Sequence, residues 1–146
     1  MLRKLELEDM DRAATVLRLS FDDALPTLAG LHTPHEDRWF FRERMFKTCE
    51  LWGYFDNDEL IGIIAFREGW VDQLYVLPAS QGRGVGTALL QLAKNRSLKL
   101  SLWTFQRNRN ARRFYERQGF MLVKETDGSA NEEKEPDALY SWQSDR

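Results

Sequence analysis

The chain has 146 residues, 42% hydrophobic and 30% charged, which is the balance of one ordinary globular domain. A net charge of −2 argues against nucleic-acid binding, and the lone Cys49 excludes an internal disulfide and a cysteine-rich metal site. The opening MLRKLELEDM is acidic where a signal peptide is apolar, and no apolar run reaches the roughly 20 residues of a membrane span. We therefore expect a single domain over 1–146 that is cytoplasmic and binds neither membranes nor nucleic acid.

The N-terminal half combines strand-like alternation with helical spacing. In chain order the pattern predicts a strand at 2–7, a helix from Asp9 or Asp11 to about residue 19, a helix at 36–46, and strands at 50–55 and 60–67. Residues 21–47 form an irregular segment that contains the second helix. Asp56-Asn57-Asp58, between the last two strands, has residue types that tolerate a tight hairpin turn.

The C-terminal half continues with helices between strands. Its pattern predicts a strand at 70–77, a helix at 87–95, a strand at 98–105, a helix at 111–118, and strands at 120–126 and 139–142. The polar, acidic segment 127–137 is predicted to be a mobile loop between the last two strands. Strands outnumber helices, and helices follow two central strands, so we predict a mixed α+β sheet with helices on its faces.

A glycine-rich turn lies between the strand that ends at Pro78 and the next helix. Gly82, Gly84 and Gly86 alternate there, which allows backbone amides to face inward without obstruction by side chains. The helix N-terminus adds free N–H groups and the positive end of its dipole, so the turn predicts a pyrophosphate socket. It is neither a P-loop, which ends in Lys before Ser or Thr, nor a dinucleotide fingerprint, which needs glycine where Thr87 stands.

Two blocks of sequence carry a family resemblance. Gln81-Gly82-Arg83-Gly84-Val85-Gly86 resembles the Q/R-x-x-G-x-G/A signature of the GNAT N-acetyltransferase superfamily, and LYVLP at 74–78 is similar to many bacterial members. NRNARRFYERQGF at 108–120 is similar to the family's N-x-x-A-x-x-F-Y-E-x-x-G-F. The blocks follow the family's order, with a helix and a strand between them. The resemblance covers about 2–142, although its specificity lies in 70–120.

The resemblance implies both a fold and a co-substrate. The implied fold is a mostly antiparallel, twisted sheet of six to seven strands, splayed in the middle and flanked by about four helices. The implied co-substrate is acetyl-CoA, with no metal, and its pantetheine arm lies between the strands 70–77 and 98–105. The implied cofactor-binding residues are Leu74, Tyr75, Val76, Gln81, Gly82, Arg83, Gly84, Val85, Gly86, Thr87, Asn108 and Phe114. Asn108 either binds the pantetheine or caps the following helix.

Acyl transfer from a thioester to an amine needs a neutral amine and a proton for the leaving thiolate. Tyr115 is the candidate general acid, since a phenol has an ordinary pKa of about 10; the alternative is that it only packs its helix on the sheet. Asp72 is the candidate general base, because strand alternation places it on one face with Leu74 and Val76. The alternative for Asp72 is a salt-bridged structural carboxylate, and Glu68 is a second candidate base.

The sequence therefore favours an N-acetyltransferase that acts on a primary amine of a small molecule or peptide. A non-catalytic acyl-CoA-sensing module and an acetyltransferase of protein N-termini or lysines are the alternatives, and a homodimer is compatible with either. The acceptor pocket is expected from 21–47 and 127–137, where no motif identifies the acceptor. His32 and His35 are interpreted as loop residues, whereas Trp39, Phe40, Phe41 and Phe46 line a pocket, form a dimer face or fill the core.

Overall fold

The computed structural model describes all 146 residues and contains seven strands and four helices. The strands are β1 (Leu2–Lys4), β2 (Glu50–Asp56), β3 (Glu59–Arg67), β4 (Trp70–Val76), β5 (Lys99–Phe105), β6 (Met121–Thr126) and β7 (Asp137–Gln143). The helices are α1 (Met10–Ala24), α2 (Pro34–Phe40), α3 (Val85–Arg96) and α4 (Arg109–Arg117). A π-helical turn, Phe41–Met45, and a last turn, Phe46–Thr48, continue α2. The predicted α+β class is confirmed.

All seven strands form one sheet in the order β1-β2-β3-β4-β5-β7-β6. Neighbouring strands are antiparallel except β4 and β5, which are parallel and share a single paired position, Trp70 with Ser101. The Ser101 amide donates to the Gly69 carbonyl at 2.8 Å just beside that pair. Beyond this point the two strands diverge, which confirms the predicted splay in the middle of the sheet.

Separate hydrophobic cores cover the two faces of the sheet. On one face Ile64 and Phe66 of β3 pack in a cluster with residues of α3 and β5. On the other face the alternate residues Ile63 and Ala65 pack with α1 and the π-helical turn, where Phe41 is fully buried. Because β3 is buried on both faces, the sheet forms the middle layer of the molecule, between α1 on one face and α3 on the other. No helix is long and apolar enough to cross a membrane.

The observed ends of the first elements differ from the prediction because of local side-chain caps. α2 begins at Pro34, two residues early, since Thr33 Oγ1 accepts from the Glu36 amide at 3.1 Å and the Glu36 carboxylate accepts from the Thr33 amide at 2.7 Å. β1 ends at Lys4 because a 3₁₀ turn follows. Asp9 stabilises that turn by accepting from the Glu6 amide at 2.8 Å, and its side chain does not cap α1.

A β-bulge changes which residues of β4 share a face. Val71 pairs with Phe66 of β3 but Gln73 pairs with the next residue, Ala65, so Asp72 is the extra residue in β4. Leu74 packs against the α3 face of the sheet, whereas Asp72 contacts Cys49, which packs against the α1 core. The predicted common face of Asp72 with Leu74 and Val76 is therefore wrong, since strict alternation does not hold across a bulge.

Candidate active site

A cavity of about 1400 Å³ occupies the gap between β4 and β5 and extends over the glycine-rich turn to α4. It brings together every predicted site residue except Arg83, which is exposed and outside the lining. The lining residues from the prediction are Asp72, Leu74, Tyr75, Val76, Gln81, Gly82, Gly84, Val85, Gly86, Thr87, Asn108, Phe114 and Tyr115.

The glycine-rich turn carries a row of free backbone donors beside this cavity. The N–H groups of residues 82–87 donate to no backbone or side-chain acceptor. Gly82 and Gly84 have φ of +79° and +82°, the left-handed region that favours glycine, and Gly84 is the N-cap of α3. Free amides at the positive end of a helix dipole are suited to phosphate oxygens.

Gly86 permits α4 to pack close to the start of α3. A Cβ atom at position 86 would lie 3.1 Å from Cζ of Phe114, so a larger residue would displace that ring. Gln118 reinforces the contact, because its Nε2 donates to Thr87 Oγ1 at 2.9 Å. Asn108 caps α4, since its side chain accepts from the Ala111 amide at 3.2 Å. The helix cap that the sequence offered for Asn108 is thus formed.

The backbone of β4 is available to a ligand in the gap. The Leu77 amide donates to the Ile61 carbonyl at 2.8 Å, and antiparallel pairs alternate, so Leu74 and Val76 point their backbone groups away from β3. The Val76 carbonyl already accepts from Ser20 Oγ and Gln81 Nε2, both at 2.9 Å. The N–H of Val76 is left as a donor that faces the gap.

Tyr115 lies in the cavity wall as a buried phenol without a partner. Its side chain is 8% exposed and packs edge-on against Phe114 and Phe120, at centroid distances of 5.3 and 5.7 Å. No protein group hydrogen-bonds its hydroxyl. Burial, and then the neighbouring Tyr75, raise the pKa of Tyr115 above its ordinary value, so the phenol keeps its proton at neutral pH.

Asp72 is engaged by two partners on the α1 side of the sheet. Arg67 Nε and Nη2 donate to its carboxylate at 2.7 and 3.2 Å, and Cys49 Sγ donates to it at 3.1 Å. Burial, and then the hydrogen bond to Asp72, raise the pKa of Cys49 to about 11. Although Asp72 borders the cavity, this ion pair favours the structural alternative over general base. Glu68 is exposed and outside the cavity.

One cluster has ligand atoms close enough together to hold a cation. His32, Glu132 and Glu133 each offer an atom within 4.8 Å of the other two. His32 Nε2 also lies 3.3 Å from Glu132, which links the loop before α2 to the loop between β6 and β7. His35 is exposed, lies in the first turn of α2 rather than in the predicted loop, and does not take part.

Sequence reasoning missed several charged residues of the cavity. These are Asp23 at the end of α1, Arg107 after β5, Arg113 and Arg117 of α4, Glu133 in the last loop, and Asp137 at the start of β7. The family resemblance had placed part of the acceptor pocket at 127–137 without identifying a residue there. The aromatic run before β2 divides: Phe41 fills the core, whereas Trp39 is 52% exposed.

A seven-stranded sheet that splays beside a row of free backbone amides is the arrangement that the sequence resemblance implied. The model of the acetyltransferase (GNAT) family matches residues 15–120, most of the chain. The chain therefore belongs to the GNAT acetyltransferase family, as its sequence motifs predicted.

Curated relatives match over part of their length. The peptidyl-lysine N-acetyltransferase YiaC of Escherichia coli is 31% identical over 83 residues, which cover 56% of this chain and 57% of YiaC. The uncharacterized N-acetyltransferase YafP of the same organism is 33% identical over 90 residues, 62% of this chain and 56% of YafP. The chain thus spans little more than half the length of these two relatives.

Solved structures match over nearly the whole chain. Apo YjaB from Escherichia coli has a TM-score of 0.81 at 19% identity, and the match covers 99% of this chain and 97% of the YjaB chain. The PaiA N-acetyltransferase from Thermoplasma acidophilum, solved with coenzyme A, has a TM-score of 0.73 at 23% identity over 98% of both chains. At these identities the likeness shows the fold.

Proposed function

We propose that the protein transfers the acetyl group of acetyl-CoA to a primary amine of a small molecule or peptide. The observation that carries the proposal is the unpartnered Tyr115 phenol in the same cavity as the free amides of residues 82–87. The amides suit the pyrophosphate of the co-substrate, and the phenol suits its sulfur. The structure of PaiA with coenzyme A supports this co-substrate for the family fold.

The cofactor would extend from the glycine-rich turn into the gap between β4 and β5. The pyrophosphate accepts hydrogen bonds from residues 82–87, and the pantetheine arm runs beside β4. The Val76 N–H, which faces the gap, polarises the thioester carbonyl and stabilises the oxyanion that forms there. Phe114 supports the site by holding Gly86 and α4 at close distance.

The reaction proceeds by direct attack in a ternary complex. The neutral amine nitrogen attacks the thioester carbonyl carbon, the C–S bond breaks, and Tyr115 gives its proton to the leaving thiolate. The nitrogen then loses its extra proton, and Tyr115 recovers one through solvent. An ammonium and acetyl-CoA thus give an N-acetyl amine, coenzyme A and one proton.

Two alternatives differ in measurable ways. A non-catalytic acyl-CoA sensor would bind coenzyme A without releasing it as free thiol. A protein acetyltransferase would use a lysine peptide in place of a small amine. The relative YiaC is a peptidyl-lysine N-acetyltransferase, which supports this alternative. Thiol release from acetyl-CoA, measured with small amines, a lysine peptide and a peptide with a free N-terminus, separates the three. Thiol release with none of them, despite coenzyme A binding, would contradict the transferase.

A further inference from the structure

Opposite charges line different parts of the active-site cavity. Three arginines, Arg109, Arg113 and Arg117, belong to α4, the helix that contacts the glycine-rich turn. Carboxylates line the cavity from the end of α1 and from the loop between β6 and β7. An anionic co-substrate fits the arginine side, so the acidic side is left for the second substrate.

Most carboxylates around the acidic side already have partners. Asp137 accepts from the Thr126 hydroxyl, and from Asn131 Nδ2 at 3.0 Å. Arg18 pairs with Asp22 at 3.0 Å and with Asp37 at 2.8 Å. The cation at this side, Arg107, is itself compensated by Glu135 at 3.4 Å.

Two lining carboxylates are left with neither an ion pair nor a hydrogen bond. Asp23 lies exposed at the end of α1, and Glu133 lies half-buried in the loop between β6 and β7. Neither has a cationic partner within 4.0 Å, although His32 lies within 4.8 Å of Glu133. They approach the cavity from two separate elements, so together they form a negative entrance to it.

Glu133 also acts electrostatically on a tyrosine of the cavity. Its charge acts on the phenol of Tyr75, and with burial as the larger cause the pKa of Tyr75 rises to about 12. Tyr75 in turn acts on Tyr115, whose side chain is more than nine-tenths buried and has an unpartnered hydroxyl in this cavity. A hydroxyl that opens to the cavity and has no protein partner points to a ligand at this place.

We propose that Glu133 and Asp23 form the acceptor subsite, and that the acceptor is an amine that carries a further positive charge. Glu133 and Asp23 together hold the second positive charge, while the amine that is to react lies beside Tyr115. The inference rests on the proposed transferase function and adds the class of its acceptor. A free diamine and a basic peptide share this chemistry.

The test compares two acceptors of equal length, 1,4-diaminobutane and 4-amino-1-butanol, which differ in the second charge. We expect the wild type to prefer the diamine by about tenfold in kcat/KM, the effect of about one charge-assisted hydrogen bond. Glu133→Gln should reduce that ratio to about one, mainly through KM. Comparing ratios between variants cancels the different basicity of the two amines.

Asp127→Asn is the matched control, because Asp127 lies in the same loop but is exposed, outside the cavity lining and outside the His32 cluster. It should keep the wild-type ratio. Asp23→Asn should lower the ratio while changing kcat for the amino alcohol little. A pair of lysine peptides, with arginine or glutamine next to the lysine, shows whether the same preference applies to a peptide.

Equal use of the diamine and the amino alcohol by the wild type, or an unchanged preference in Glu133→Gln, would overturn the inference while the transferase stands. If no amine is acetylated although coenzyme A binds, the transferase fails instead. Calorimetric titration of the diamine into the coenzyme A complex then decides the inference: binding weakened about tenfold by Glu133→Gln supports it, and equal binding contradicts it.

Discussion

Replacement of Tyr115 by phenylalanine tests the proposed general acid with little disturbance of the fold. The ring packs against Phe114 and Phe120, and these contacts are kept in the variant. The hydroxyl makes no hydrogen bond within the protein, so the free energy of unfolding should change by less than about 1 kcal/mol. Coenzyme A affinity should also be retained, since the free amides of residues 82–87 are unaffected.

The expected loss is in turnover. General acid catalysis supplies about 10²- to 10⁴-fold, which corresponds to about 3–5 kcal/mol of activation free energy. Because burial raises the pKa of Tyr115, the wild type should show no loss of activity from ionisation of this phenol as pH rises to about 10. Thiol release at saturating acetyl-CoA, followed from pH 6 to 10, measures both effects.

Tyr54→Phe is the matched control, because Tyr54 is a partly buried tyrosine of β2 that does not line the cavity. Its turnover should equal that of the wild type. An unchanged kcat in Tyr115→Phe, with thiolate release shown by single-turnover kinetics to limit the rate, would refute the role of the phenol.

Three further variants test other parts of the site. In the wild type, coenzyme A at one hundred times its Kd should stabilise the fold by about 2.7 kcal/mol, seen as a rise in melting temperature. Gly86→Val, which moves Phe114, should remove most of that rise, and a full rise would contradict the phosphate socket. Asp72→Asn should lower stability by about 0.5–1 kcal/mol and give a constant activity ratio to the wild type from pH 6 to 9, whereas recovery at high pH would indicate a base. The same change should lower the pKa of Cys49, seen as faster reaction with a thiol reagent at pH 8. Asn108→Ala should cost about 1 kcal/mol in denaturant unfolding through loss of the α4 cap, and an unchanged midpoint would contradict that contribution.

The glycine-rich turn and its free amides could be predicted from the sequence because they depend on local chemistry. Glycines at 82, 84 and 86, followed at once by a helix, determine where the free amides lie, and no distant residue is needed. The start of α2 could also have been predicted, since Thr33 and Glu36 have the spacing of a capping box. The irregular composition before the helix made this capping box hard to recognise.

The surroundings of Asp72 and Glu133 were beyond sequence reasoning for different reasons. The bulge at Asp72 depends on how β4 pairs with β3, and the pairing with Cys49 joins residues 23 positions apart. Glu133 is one of several acidic residues in its loop. Only the folded loop shows that it lines the cavity while Glu132 lies outside.

The divergence of β4 and β5 also affects how the protein avoids self-association. A strand edge with free N–H and C=O groups is a template for pairing with another chain, and most sheets carry such edges at their periphery. Here two further free edges face each other inside the molecule, joined at the Trp70–Ser101 position and covered by a shared core on the α3 face. An extended ligand can enter that gap and pair with the free edges. A folded protein that presents its own sheet edge cannot, so these two edges do not act as a template for self-association.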